Sequence, residues 1–505
     1  MVRHIRIIRH GSSFQCSRWH LGLFSFYTQT KKDHFSGLAI SLRGLLFWSI
    51  GSLVCGYLGV VSALFLVWSR DKSLDLRYGE MLMLPYHWDS IQERRANVSI
   101  DEGLQAMKNS RWADAEMLIL SGLQRRPDLL AGRSQLAYFY LLTDRWALGV
   151  SLLSTGFSSR YPGLKYIEEA FSIAQEADDL GLCTGWCEQL LTRFGGSMPP
   201  SDRSLIVVRE AQLLFAQEKY KEVSDLAASE ASQTSVGLRE LETLALLKRG
   251  DADQALAKLE RWRQQHPEDA VIIARLQARA LRRAGRLDEM AAQLDRVCSM
   301  ASRDPAVFLD SVTERFEAGE SEAAGDALEQ FLIRFGFGRN ANLIENAMAS
   351  FSDINYVEGM DRLLRFAIEE KLPRKKMVLL RVVADLTEGE IDQSRRHLQE
   401  LDNLWSSENP RDQLLRDFFR LLFAAATDES PDTRSRFESF CRERRLGWGD
   451  FSCAIRVLAR FNREKSALKV LDVGLMRYPS SYHLAALRRS IQAAVDAKAK
   501  AARPE

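Results

Sequence analysis

In the stretch IIARLQARALRRAGR, residues 272–286, arginines fall at Arg275, Arg279, Arg282 or Arg283, and Arg286. On a helix, intervals of three and four residues place these guanidinium groups in one stripe. Such planar, permanently charged forks chelate carboxylates or phosphates through paired hydrogen bonds. The stripe could therefore hold an acidic peptide, a terminal carboxylate or an anionic envelope polymer. The competing reading is a solvated face whose arginines pair with Glu260, Asp288 or Glu289. A second candidate surface is Tyr138, in the run Tyr138-Phe139-Tyr140, at least one of which must serve the core.

Signatures of covalent or metal chemistry are missing. The chain has no HExxH, no paired CxxC, no Walker loop and no GxSxG. The GFG at 336–338 lacks the third glycine and the preceding strand that a dinucleotide site needs. The eight histidines are scattered, and four of them (His4, His10, His20 and His34) fall near the N-terminus. Cys183 and Cys187, four apart on a predicted helix, share a face but have no histidine nearby to complete a tetrahedral set, and they read as small buried residues. Seven sparse cysteines do not make a disulfide framework. No catalytic residue, cofactor or metal is expected. The competing place for an enzyme is a catalytic domain hidden in 390–450.

What must position these residues is a repeat. The segment EGLQAMKNSRWADAEMLILSGLQRRPD, 102–128, follows Ser99-Ile-Asp-Glu102, which reads as a capping box at a helix start. Gly103, Ala106, Trp112, Ala115, Ile119, Gly122 and Pro127 fall at intervals suited to two antiparallel helices and a short turn. Thirty-four residues on stand Ala137, Tyr140, Trp146, Gly149, Leu153 and Gly156, with Pro162 one residue late. Turn glycines Gly250, Gly285, Gly319 and Gly389 continue the period, with Ile354 at the skipped slot. Residues 163–235 and 390–450 are degenerate, although Asn409-Pro410 and Ser430-Pro431 supply helix starts in the second gap.

This spacing resembles the tetratricopeptide repeat, a 34-residue helix-turn-helix unit. The resemblance implies an all-α, right-handed solenoid of about eleven units over 99–479, whose first helices line a concave surface, closed by a capping helix and tail over 480–505. It also implies that the helix over 272–286 is the first of its unit, with three of its arginines facing the groove. The Lys and Asn constellation by which some family members clamp a terminal carboxylate is not matched.

Upstream, LLFWSIGSLVCGYLGVVSALFLVW, 45–68, holds 24 uncharged residues. A helix of that length is about 36 Å long, enough for a ~30 Å hydrocarbon core, whereas a signal's apolar region is shorter. We read 43–69 as one retained spanning helix, preceded by a basic segment 1–42 and followed by a juxtamembrane linker 70–98. Residues 1–70 carry eight Lys or Arg against Asp33, giving +7, and the remaining 61 basic and 66 acidic residues give −5. Seven Lys or Arg precede the apolar stretch against Arg70, Lys72 and Arg77 just after it, an excess that predicts a cytoplasmic N-terminus and an extracytoplasmic solenoid at a bacterial inner membrane. The acidic balance of the remaining chain argues against nucleic acid as ligand. The competing reading of the segment 1–42 is a mitochondrial presequence. Ser52, Gly56, Gly59 and Ala63 share one face of the span, where a second helix could approach and form a homodimer.

The functional expectation is a non-catalytic, single-pass scaffold that recruits or organises envelope proteins. The alternative is an accessory or substrate-presenting subunit of polysaccharide, secretion or envelope-assembly machinery.

Overall fold

The computed structural model describes residues 5–8, 23–29, 35–69, 77–130, 132–158, 160–229, 235–336, 341–406, 408–428 and 430–501. The basic residues Arg3, Arg9, Arg18, Lys31, Lys32, Arg70 and Lys72, and part of the GFG run, lie outside them. The chain divides into two compact units, 1–136 and 137–505.

The first unit opens with three strands that the all-α expectation does not include. β1 (Ile5–Ile8) runs parallel to β3 (Phe35–Ser41), and β2 (Phe24–Gln29) pairs antiparallel on its other edge, Phe26 opposite Leu38. The aromatic and β-branched run FSFYT favours a strand. β3 passes directly into α1 (Leu42–Trp68), capped by the Ser41 hydroxyl, which accepts from the Gly44 amide at 3.2 Å. α1 is long and apolar enough to cross a membrane. Phe47 and Leu53 are three-quarters exposed on its surface.

α2 (Tyr78–Leu82) and α3 (Leu84–Lys108) follow. Ser99 therefore lies inside a helix, not at its start. No Gly or Pro stands between Tyr86 and Glu102 to end α3, and the Ser99 hydroxyl accepts from Arg125 at 2.8 Å instead. α4 (Trp112–Arg125) packs back on α3 where the small residues predicted it should. A Cβ on Gly122 would come 2.8 Å from the Ala96 carbonyl oxygen, and one on Gly103 2.6 Å from Ile119.

From α3 to α24 the helices form eleven consecutive pairs among the described residues, and α25 (Tyr482–Ala501) follows the last. The turn within almost every pair has one left-handed residue. Gly250, Gly285, Gly319 and Gly389 fill this position at φ +74 to +88, and Ser110, Asp144, Asp178, Glu218, Asn355 and Asn462 fill it without being glycine. The skipped slot is thus Asn355, one residue after Ile354. In the degenerate regions, Asn409 and Ser430 cap α21 (Pro410–Thr427) and α22 (Pro431–Glu443), and the 390–450 segment continues the helix pairs.

In the second unit each first helix from α9 (Pro200–Ala216) to α19 (Lys375–Glu388) touches the next first helix, which makes them the inner row. Between the rows runs the core. From Phe308 to Ile491 it is continuous, with Phe331, Phe351, Phe418, Phe437 and Phe451 fully buried.

This unit also closes on itself. The turn between α7 (Leu164–Glu176) and α8 (Leu180–Phe194) presents Asp178 to the start of α25. Asp178 accepts from the Ser481 hydroxyl at 2.5 Å, the His483 amide at 2.9 Å and His483 Nδ1 at 2.7 Å, while its carbonyl accepts from the Tyr482 amide at 3.0 Å. Beside it, the Tyr482 hydroxyl donates to the Gln217 carbonyl at 2.8 Å and Arg445 to that of Leu141 at 3.2 Å. The last repeats are thereby fastened to the turns of the first ones in the unit.

Candidate binding groove

Four inner helices stand side by side: α11 (Val236–Arg249), α13 (Ala270–Arg283), α15 (Pro305–Glu317) and α17 (Ala341–Asp353). The arginine stripe lies on α13, the first helix of its pair. Its partners are not Glu260 or Asp288 but a second stripe one repeat later. Arg275 Nε lies 2.6 Å from Asp310, Arg279 bridges Glu314 at 2.8 Å and Asp310 at 3.1 Å, and Arg282 bridges Glu314 and Glu317, both at 2.6 Å. Asp310, Glu314 and Glu317 repeat the spacing of Arg275, Arg279 and Arg282 at an offset of 35. That identical spacing was the signal available in the sequence. Only Arg286 follows the local reading: it pairs with Glu289 at 2.5 Å at the start of α14 (Leu287–Met300), outside the groove.

Electrostatics fit this ladder. Burial works against the charge of Arg279, but Asp310 and Glu314 outweigh it and hold the guanidinium above the usual arginine range. Glu314 is almost wholly buried between two arginines. A groove of about 330 Å³ runs along these helices, where Lys248, Arg279, Arg282 and Arg283 stand with Asp310, Glu314, Glu317 and Asp353, four cations with four carboxylates. Lys248, Arg283 and Asp353 are exposed and form no ion pair among the described residues. Leu244, Leu309 and Ile354 give the same groove an apolar floor. A second cleft of about 180 Å³, between α7 and α9, is lined by Leu164, Phe171, Leu205 and Val208 together with Glu168, Arg209 and Gln212.

The other predicted residues are placed apart from this ladder. Tyr138 is 39% exposed on α5 (Arg133–Leu142), while Phe139 and Tyr140 are buried with Arg145 over their rings. Ser52, Gly56, Gly59 and Ala63 are exposed, with open space where each glycine's Cβ would stand. They face roughly opposite to Tyr57, Val61, Phe65 and Trp68, the side of α1 that packs on α2 and α3.

Nucleophile chemistry is disfavoured at the buried thiols. Cys183 and Cys187 are fully buried, and burial pushes the Cys183, Cys441 and Cys453 thiols up to about 12. His266, Glu268 and Asp269 come within 4.8 Å of one another at the turn before α13, with Glu268 exposed and Asp269 accepting from Trp262 Nε1 at 2.9 Å.

No protein-family model matches the chain, and no curated protein matches it. Among solved structures, a tetratricopeptide repeat protein from Parabacteroides merdae is 13% identical with a TM-score of 0.32, covering 50% of this chain and 99% of that one. Yeast Tom70 is 11% identical with a TM-score of 0.26, covering 82% and 98%. The maize pentatricopeptide repeat protein PPR10 is 12% identical with a TM-score of 0.34, covering 88% and 64%. Likenesses this distant say nothing of ligand or partner.

Proposed function

We propose that this chain, whose helix pairs are repeats of the tetratricopeptide type, is a non-catalytic scaffold held at a membrane by α1 and binding a polypeptide segment along its inner helices. The observation that carries this reading is the groove over α11–α17. It is concave, apolar at its floor and balanced in charge, with Lys248, Arg283 and Asp353 left for a ligand after the ladder has paired. A uniformly anionic polymer would meet Asp353 beside the two free cations there. A peptide of mixed charge would meet complementary groups of both signs. The seven Lys or Arg before the apolar stretch of α1, against Arg70, Lys72 and Arg77 after it, support a cytoplasmic N-terminus, repeats on the far side of a bacterial inner membrane, and partners drawn from the envelope. The open Ser52, Gly56, Gly59, Ala63 face offers a route to a homodimer.

Photo-crosslinking residues placed at Lys248, Thr313 and Asp353 in intact cells test the groove. One polypeptide should be trapped from all three positions, not from Asp326 on the outer helix α16 (Ser321–Phe335). Its capture should fall at least tenfold in the double variant Lys248→Glu, Arg283→Glu, equivalent to about 1.4 kcal/mol. Equal trapping from both faces would overturn the groove as the site. A phosphatase reporter after Glu505, active only outside the cytoplasm, tests the orientation.

A further inference from the structure

The end of α1 is not bare. Tyr78, at the start of α2, lies beside Phe65 with ring centroids 5.2 Å apart, and its hydroxyl is 2.9 Å from the Ser62 hydroxyl. Four residues on, the Leu82 carbonyl accepts from the Tyr57 hydroxyl at 2.8 Å. α2 thus runs back along the last turns of α1. α3 then returns beside it, with Trp88 6.4 Å from Trp68 and Arg95 4.2 Å over the Trp68 ring. Val61, Met81 and Ile91 are fully buried where the three helices meet. Tyr57 and Trp68 are eleven residues apart, so the tip of this hairpin lies about 16 Å back from the end of the apolar helix.

The tip consists of Met83, Leu84, Pro85 and Tyr86. Met83 is 55% and Tyr86 85% exposed, and Trp88 and Tyr78 are more than two-fifths exposed beside them. Glu80 pairs with Arg94 at 2.8 Å and Glu93 with Arg126 at 3.4 Å, while His87 and Asp89 stand exposed on the first two turns of α3 behind the tip. The uncharged part of α1 after Arg43 spans 25 residues, about 37 Å, roughly 7 Å more than a hydrocarbon core requires. Coming back by about 16 Å therefore carries the tip past the headgroups and into the acyl boundary.

We propose that the α2–α3 hairpin is a lipid-binding wedge, with Met83 and Tyr86 seated in the leaflet through which α1 leaves the membrane. This rests on reading α1 as the spanning helix. Its occupant is the bilayer because the tip lies alongside that span and presents apolar and amphipathic aromatic groups, the side chains that favour the interface. The polar hydroxyls of Tyr57 and Ser62, costly in lipid alone, are satisfied by the same hairpin. The first repeat would then be held against the membrane and not on a free tether.

Full-length protein in phosphatidylcholine nanodiscs, with Cys16, Cys55 and the half-buried Cys298 replaced by Ser, can carry one bimane label at Phe47→Cys, Met83→Cys, Tyr86→Cys or Met117→Cys. Met83, Tyr86 and Met117 are exposed, so these changes leave the fold intact. With lipid carrying a doxyl group near the headgroup end of its chain, labels at 83 and 86 should be quenched several-fold more than the label at 117. A label at 47 should respond to lipid doxyl groups as well. Quenching at 47 without quenching at 83 and 86 would overturn the wedge, whether the tip lies in water or under another protein. No lipid quenching at 47 would overturn the spanning helix, and the wedge with it.

Discussion

Glu314 accepts from two arginines while nearly excluded from water, so its removal leaves Arg279 and Arg282 short of a partner at once. Glu314→Ala should lower stability by about 1–3 kcal/mol in urea unfolding, because two charge-assisted hydrogen bonds nearly closed to water are lost while Arg279 keeps Asp310 and Arg282 keeps Glu317. Replacing Arg279 together with Glu314 should cost less than the sum of the two single changes, by about 1–2 kcal/mol of coupling. The arginine stripe was legible in the sequence, but its carboxylate partner was not matched to it. Helix periodicity alone points to partners three or four residues away, whereas the repeat brings position i beside i+35. The buried cysteines were legible for a simpler reason: small, isolated thiols with no ligand partners pack. Cys183, Cys441 and Cys453 should remain unmodified by iodoacetamide at pH 7 until the chain is unfolded, since their thiols titrate near 12.

Single glycines make opposite predictions according to the element that holds them. Gly185 is exposed within α8, and a methyl added there would meet nothing within 4 Å, so Gly185→Ala should stabilise by up to about 1 kcal/mol in thermal unfolding. Gly250 ends α11 at φ +88, where an L side chain is strained, and Gly250→Ala should destabilise by about 1 kcal/mol. The four turn glycines revealed the repeat because glycine marks the left-handed position by type. Asp178 and Glu218 hold the same conformation without announcing it, so residues 163–235 carry no boundary signal. The start of α3 was misplaced for a related reason: Ser99 and Glu102 match a capping pattern, but a helix already running from Leu84 has no break there. Of the strands before α1, only FSFYT in β2 carries a local signal, and the pairing of Ile5 with Leu38 across the whole of β2 is one that no local pattern can carry.

The second unit owes its closure to contacts between residues about 300 apart, such as Asp178 with Ser481 and His483, and no local pattern can reveal these. Asp178→Ala should speed hydrogen exchange at the Tyr482 and His483 amides and enlarge the unit by small-angle scattering; unchanged values would show that the other fastenings suffice. The hydrogen bond to Asp178 raises the His483 pKa above the usual histidine value, against burial and the nearby Arg456, while Glu218 reinforces it and Trp448 stacks on the ring. A group whose pKa rises on folding adds stability that is complete below its unfolded value, near 6.5, and is lost as pH climbs through the raised one. The closure should therefore be tighter at pH 6 than at pH 8, read as slower exchange at those amides after correction for the intrinsic rate. Closure also fixes a number. An open row of repeats can gain or lose a unit at either end or in the middle, because each touches only its neighbours. Here the last helix must arrive opposite one particular turn, so inserting or deleting a single unit would bring Ser481 to the wrong place. The number of helix pairs between Asp178 and Ser481 is a dimension of the unit, as fixed as a bond length in a ring.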